Sequence, residues 1–127
     1  MDTQRTIMVV DDNPDIITIV KTILEGKGYQ VLSASSGQEL LNLLTDQKPD
    51  LIILDIMMPE MDGLEVLGRL KAVTDTASIP VILLTAKVQY EDVLGGYKLG
   101  ADYYITKPFT STQLVNGINL LLGESKN

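Results

Sequence analysis

Three carboxylates follow short apolar segments in a pattern that could assemble a cation site. Asp11 and Asp12 come directly after the apolar residues 7–10, and Asp55 comes directly after Leu51–Leu54. Carboxylate oxygens are the ligands that Mg²⁺ and Ca²⁺ prefer, and an activated Asp can also attack phosphorus. The chain has no His and no Cys, which excludes zinc and copper sites built on those ligands. These residue types predict metal-assisted phosphoryl chemistry.

The elements that must position these acids alternate between strand and helix. The strand-like runs are TIMVV (6–10), QVLSA (30–34), LIILD (51–55), VILLT (81–85) and DYYIT (102–106). Alternation of strands and helices predicts a parallel sheet with helices on both faces. The first, third and fourth runs are continuously apolar, as central strands are, whereas the second and fifth suit sheet edges. We therefore predict an α/β fold, a doubly wound (βα)5 flavodoxin-like three-layer sandwich with strand order 2-1-3-4-5.

Helix start and weakening signals lie between these strands. Asn13 followed by Pro14 combines a capping side chain with proline at the first helical position. Two pairs have the capping-box spacing and open the second and last helices: Ser36 with Glu39, and Thr110 with Gln113. Gly95 and Gly96 lie inside the fourth helical segment and cost about 1 kcal/mol or more each relative to Ala, so we expect a soft fourth helix.

The polar residues at the strand ends should converge, because the carboxyl ends of parallel strands meet at one edge of the sheet. Asp11, Asp12 and Asp55 would be joined there by Thr85 and Lys107. A single Asp in such a position is usually a cap or turn residue. Three together repel: at an effective dielectric of ~20 and ~4 Å, each pair costs roughly 4 kcal/mol. Lys107 and a divalent cation would together balance the three charges.

The length and charge of the chain limit its domain count and the partners it can bind. The chain has 127 residues and a formal net charge of −7. We predict a single domain over residues 1–127, with its core at about 6–122. The ten Lys and Arg form no basic block, so we expect no direct contact with nucleic acid or membranes. The N-terminus MDTQRT lacks an apolar signal segment, and a cytoplasmic location is expected.

Four segments together resemble a known family. VVDDNPD, LIILDIMMPEMDG, VILLTA and GADYYITKPF are similar to the signature segments of the receiver domain of bacterial two-component response regulators. The resemblance implies that Asp55 accepts phosphate from a sensor histidine kinase, a phosphotransfer protein or a small phosphodonor. It implies a bound Mg²⁺ (or Mn²⁺) held directly by Asp12 and Asp55, through water by Asp11, and by the backbone carbonyl of Met57. Such a domain is no conventional enzyme, but it catalyses its own phosphorylation and slow dephosphorylation.

The same resemblance assigns roles around the acids. Lys107 would contact the phosphate, and the Lys107-Pro108 peptide bond would be cis. Thr85 would move toward the phosphoryl group, and small Ala86 would leave access to it. Tyr104 would turn inward as the aromatic switch residue, although plain core packing is the alternative for a strand aromatic.

Two further expectations concern phosphate lifetime and output. Met57 and Lys87 occupy the positions that tune hydrolysis in this family, and an apolar Met57 cannot orient an attacking water, which favours a long-lived phosphate. The readout surface would be the fourth helix, fifth strand and fifth helix, facing a downstream protein or an output domain. The last helix has no Arg or Lys between Pro108 and Gly123, in contrast to the DNA-binding subclass that dimerises through this face. A monomer or weak dimer is therefore expected.

Other functions for the same fold remain open at this point. A flavodoxin-like cofactor binder would need a phosphate loop after the first strand, where this chain has the acidic DDNPD. A magnesium-dependent phosphatase with an Asp nucleophile usually has a second acid at the position of Met57. A degenerate receiver that serves only as a docking module is the third alternative.

Overall fold

Five parallel strands form one sheet in the computed structural model, which describes residues 4–86 and 90–123. The strands are β1 Thr6–Val10, β2 Gln30–Ala34, β3 Leu51–Leu54, β4 Val81–Thr85 and β5 Tyr103–Thr106. The helices are α1 Pro14–Glu25, α2 Gly37–Leu43, α3 Gly63–Ala72, α4 Thr74–Ala77, α5 Tyr90–Leu99 and α6 Ser111–Leu122. The observed strand order is β2-β1-β3-β4-β5, which confirms the predicted fold.

One helix in this arrangement has no counterpart in the prediction. The short α4 follows α3 after Val73, whose extended backbone interrupts the helical run. The fourth helix predicted from sequence is therefore α5, and the last is α6. Among the described helices, none combines the length and the apolar character that a bilayer span requires.

The core has two halves, one on each face of the sheet. Alternate residues of the central strands supply both halves, because successive side chains of a strand point to opposite faces. One half contains Met8, Val10, Ile52, Leu54, Leu40, Val66, Leu67 and Leu70, under α2 and α3. The other contains Ile7, Val9, Leu51, Ile53, Val20, Leu24, Leu114 and Ile118, under α1 and α6. β1, β3 and β4 are almost wholly buried, and β2 and β5 are the partly exposed edges, as predicted.

The predicted caps form with one difference. The side chain of Asn13 accepts a hydrogen bond from the Asp15 amide, with proline at the first helical position. Both halves of the capping box between Thr110 and Gln113 are present. The box predicted at Ser36 is half formed: its side chain accepts from the Glu39 amide, but the Glu39 carboxylate accepts from the Ser35 amide at 2.7 Å. The acid reaches one residue further back than the pattern predicts.

The two glycines of α5 have different surroundings. A Cβ on Gly96 would lie 2.5 Å from Leu83 Cδ1, so this glycine allows the helix to approach the sheet closely. A Cβ on Gly95 would meet nothing within 4 Å, so that glycine weakens the helix without a packing reason. We therefore attribute the low stability expected for α5 to Gly95.

Amide hydrogen exchange tests this expectation. We expect the amides of α5 to exchange faster than those of α1, and Gly95→Ala to slow exchange in α5 by about fivefold, the equivalent of about 1 kcal/mol. Gly96→Ala is the matched control and should give no such protection, because its methyl group meets Leu83. Equal protection of α5 and α1 in the unaltered chain would refute the idea.

Candidate functional site

Four strand ends carry the polar residues of the site. Asp11 follows β1, Asp55 follows β3, Thr85 ends β4 and Lys107 follows β5. Main-chain hydrogen bonds continue past the strands: the Asp55 amide donates to the Val10 carbonyl at 3.0 Å, and the Lys107 amide donates to the Thr85 carbonyl at 2.9 Å. The sheet therefore fixes the backbone from which these side chains project.

The three predicted carboxylates do come together. One oxygen from each of Asp11, Asp12 and Asp55 lies within 4.8 Å of the others. Asp11 and Asp55 are only 2% and 4% exposed, whereas Asp12 is exposed. Such a set of oxygens suits a hard divalent cation, which prefers several carboxylate ligands.

Lys107 is shared by the two buried acids. Its ammonium lies 2.8 Å from Asp11 Oδ2 and 3.3 Å from Asp55 Oδ2. One lysine offsets one of the three negative charges and leaves a surplus of two, which is the charge of Mg²⁺. The donor set and the charge count therefore fit a magnesium ion.

Main-chain amides orient the same two carboxylates from the other side. The Asn13 amide donates to Asp11 Oδ1 at 2.9 Å, and the Met57 amide donates to Asp55 Oδ1 at 3.0 Å. Each buried acid thus has one oxygen held by an amide two residues further along the chain and the other oxygen beside Lys107. Both carboxylates are therefore fixed before any ligand arrives.

The titration of Asp11 and Lys107 reflects this crowding. Burial raises the pKa of the Asp11 carboxyl, and the Asp55 charge adds to the rise, against the hydrogen bonds from Lys107 and the Asn13 amide. Burial acts to lower the pKa of Lys107, but the hydrogen bond to Asp11 and the charges of Asp55 and Asp11 outweigh it and raise that pKa. Lys107 is therefore a full cation at neutral pH, and its contact with Asp11 does not fully offset the effect of burial on the pKa of that carboxyl.

The two predicted switch residues, Thr85 and Tyr104, differ in depth. The Thr85 side chain is fully buried at the end of β4, and the next residue, Ala86, is exposed at the rim. Tyr104 is partly buried and packs against the half of the core that contains Met8 and Leu83. Its predicted inward turn stays a prediction.

The remaining predicted positions surround the acids. The Lys107-Pro108 peptide bond is cis in the structure. Met57 is 54% exposed, directly beside the nearly buried Asp55. Lys87 lies outside the described residues.

Gly63 belongs to the site although the sequence patterns above do not single it out. Its amide donates to the Ile56 carbonyl at 2.8 Å, and a Cβ built on it would lie 2.2 Å from the Asp55 carbonyl oxygen. The start of α3 therefore presses against the backbone that carries Asp55. The pattern of Asp62 followed by Glu65 marks this helix start, and Asp62 Oδ1 does accept from the Glu65 amide at 2.9 Å.

Comparisons with known proteins agree with one another. The family model described as response regulator receiver domain matches residues 7–119. The alkaline phosphatase synthesis transcriptional regulatory protein PhoP of Bacillus subtilis is 40% identical over 122 residues, which cover 96% of this chain and 50% of that protein. The chain thus spans half the length of this curated relative.

Solved structures show the same fold. The signal receiver domain of a signal transduction histidine kinase from Syntrophus aciditrophicus is 40% identical, with a TM-score of 0.87 and coverage of 97% of this chain and 93% of that one. The receiver domain of a sensor histidine kinase from Pseudomonas aeruginosa PAO1 is 26% identical, with a TM-score of 0.87 and coverage of 96% and 100%. That protein was solved with a magnesium ion coordinated in its active site cleft.

Proposed function

The chain belongs to the family of response regulator receiver domains of two-component systems, and we propose that it accepts a phosphoryl group on Asp55 in a Mg²⁺-dependent reaction. Membership confirms the resemblance inferred from the four sequence segments. The observation that carries the proposal is the cluster of three carboxylates around Lys107 at the ends of β1, β3 and β5. The proposed unit is one domain over residues 1–127.

Asp55 is the proposed nucleophile because it is oriented and central. It follows β3, which lies between β1 and β4, and its two oxygens face the Met57 amide and Lys107. A carboxylate oxygen of Asp55 attacks phosphorus, and the bond from phosphorus to the donor atom breaks with its electron pair leaving on the donor. The donor is a phosphohistidine of a sensor kinase or phosphotransfer protein, or a small molecule such as acetyl phosphate.

Four groups would hold Mg²⁺ or Mn²⁺: the carboxylates of Asp11, Asp12 and Asp55, and the backbone carbonyl of Met57. When bound, the ion supplies positive charge that offsets the negative charge gathered on the phosphoryl oxygens. The chain's own part is to keep Lys107 beside Asp55 and to keep both buried acids oriented by main-chain amides. The magnesium coordinated in the Pseudomonas relative supports this assignment.

Magnesium should bind and stabilise the folded chain. We expect millimolar Mg²⁺ to raise the thermal unfolding midpoint, because the ion binds the folded cluster and relieves its repulsion. A stabilisation of about 1 to 3 kcal/mol corresponds to ion concentrations of about 5 to 100 times the dissociation constant. Asp12→Asn, which removes one carboxylate charge, should need more Mg²⁺ for the same rise, whereas the exposed helix cap variant Asp62→Asn should behave like the parent. An unfolding midpoint that ignores Mg²⁺ would argue against the site.

Phosphorylation would act on the described contacts of the site. It replaces one carboxylate charge by a group with nearly two charges and three acceptor oxygens, close to Lys107. Thr85 would donate its hydroxyl to the new group, and Tyr104 would follow the space that Thr85 leaves. The surface formed by α5, β5 and α6 would then shift to a conformation that binds a downstream protein or an output domain.

We also propose that this domain makes no direct contact with nucleic acid or membranes, and that it is a monomer or weak dimer.

Met57 should make the phosphate long-lived. We expect Met57→Asn to shorten the half-life of the phosphorylated chain by about tenfold, because an amide side chain can hold a water near Asp55 and a thioether cannot. The half-life is measured by intact mass after removal of the donor. The exposed apolar variant Met57→Leu serves as the control and should decay slowly. An unchanged rate in Met57→Asn would count against this role; a test of the Lys87 position would use the same assay.

Measurement of the intact mass tests the proposed phosphoacceptor function. Incubation with acetyl phosphate and Mg²⁺ should add one phosphoryl group to the chain, and omission of Mg²⁺ should prevent the addition. A chain that gains no mass under these conditions would contradict the proposed function.

A further inference from the structure

Among the methionines that the structure describes, Met57 stands apart in its exposure. Met8 is fully buried and Met58 is 7% exposed, whereas Met57 is 54% exposed. Met61 is partly buried and packs against the core, and a Cβ on Gly37 would touch its sulfur. Among the described residues, Met57 therefore offers the thioether that solvent reaches most easily, at a position joined to the Asp55 carboxylate by a hydrogen bond.

We propose that Met57 is an oxidation site whose sulfoxide shortens the lifetime of the phosphoryl group on Asp55. The inference rests on the proposed phosphoacceptor function. The oxidant class is a two-electron oxygen donor such as hydrogen peroxide. The sulfur lone pair attacks a peroxide oxygen and the O–O bond breaks. The hydroxide that leaves takes the proton from the transferred oxygen and becomes water. Sulfur loses two electrons and gains the oxygen, and the peroxide is reduced.

Oxidation changes how well the Met57 side chain accepts a hydrogen bond from water, which is the property that matters for hydrolysis. A thioether is a weak acceptor and leaves water near Asp55 unoriented, whereas a sulfoxide is polar and its oxygen accepts hydrogen bonds well. The Met57 amide donates to Asp55 Oδ1 at 3.0 Å, so the backbone from which the Met57 side chain projects lies next to the carboxylate. Asp55 is 4% exposed and Met57 is 54% exposed, so bulk water contacts the Met57 side chain far more than it contacts the carboxylate. Oxidation thus supplies a water-binding group on a side chain whose backbone contacts the Asp55 carboxylate.

Limited peroxide treatment followed by peptide mapping tests the chemical part. Met57, Met58 and Met61 share one tryptic peptide, so fragment-ion sequencing must assign the added oxygen. We expect oxygen on Met57 before Met58, Met61 or Met8. Oxidation that favours one of these three over Met57 overturns the proposal.

The half-life of the phosphorylated chain tests the functional part, with each protein compared before and after peroxide. We expect oxidation of the parent to shorten the half-life by about two- to tenfold, the range that one hydrogen bond of ordinary strength supplies. Treatment with methionine sulfoxide reductases should restore the original value. Met57→Leu cannot form the sulfoxide, so its half-life should not respond to peroxide. A parent half-life that stays the same or lengthens, or an equal response in Met57→Leu, overturns the proposal.

These outcomes separate the inference from the function beneath it. A chain that takes up no phosphoryl group in any state refutes the proposed function together with the lifetime effect. A chain that is phosphorylated normally but shows unselective oxidation, or no change in half-life, refutes the oxidation inference alone.

Discussion

We expect Asp55→Asn to abolish phosphorylation, because of the geometry of the acidic cluster. The amide nitrogen or oxygen of Asn is a poor nucleophile, and no other carboxylate of the cluster combines the amide contact and the lysine contact of Asp55 with a place at the end of the middle strand. Intact mass after incubation with acetyl phosphate and Mg²⁺ should show the phosphorylated species in the parent and none in the variant.

The control for this substitution is another acid of the same loop. Asp62 is exposed and caps α3 through the Glu65 amide, and Asn caps helices as well as Asp does. Asp62→Asn should therefore be phosphorylated like the parent. Phosphate that still appears on the Asp55→Asn chain would move the acceptor to Asp11 or Asp12, and peptide mapping would identify which.

Gly63→Ala is expected to damage both stability and the site. The added methyl group would fall 2.2 Å from the Asp55 carbonyl oxygen and 2.7 Å from Ile56 Cα. These are backbone atoms that cannot rotate away, so either α3 or the Asp55 segment must shift. We expect a loss of about 3 kcal/mol in the free energy of unfolding, measured by urea denaturation. The variant should also be phosphorylated far more slowly, because the shift moves Asp55 relative to Lys107.

Gly68 gives a matched control in the same helix. A Cβ on Gly68 would meet nothing within 4 Å, so Gly68→Ala should stabilise the chain by about 0.5 to 1 kcal/mol through helix propensity alone. Phosphorylation of that variant should be normal. Similar effects of the two substitutions would show that the close approach of Gly63 to Asp55 has no consequence.

Sequence patterns predict this fold well where the signal is local. The apolar runs at β1, β3 and β4 indicate strands buried on both faces, and the Asn13-Pro14 and Thr110-Gln113 patterns mark helix starts that the structure confirms. These features depend on a few neighbouring residues. The order of the strands also follows, since edge and central strands differ in polarity.

Features that depend on distant contacts are harder to predict. The short α4 depends on the extended backbone of Val73, which ends α3. The Glu39 carboxylate accepts from the Ser35 amide instead of the Ser36 amide, a difference that the capping pattern does not encode. The close approach of Gly63 to Asp55 is a contact between two elements, and a glycine before a helix looks the same in sequence without it. Topology predicts that the polar residues at the strand ends lie together. That Lys107 contacts two of the acids is seen only in the three-dimensional structure.

Because Lys107 is shared, phosphorylation of Asp55 and binding of magnesium are expected to depend on each other. A phosphoryl group on Asp55 would draw the ammonium of Lys107 toward itself and away from Asp11, whose ion pair with that ammonium is the shorter of the two at 2.8 Å. Asp11 would then rely more heavily on a divalent ion, so the phosphorylated chain should hold magnesium more tightly than the unmodified one. By thermodynamic reciprocity, the ion favours the phosphorylated state by the same factor. Removing magnesium with a chelator would therefore push the equilibrium with a phosphodonor back toward the free carboxylate.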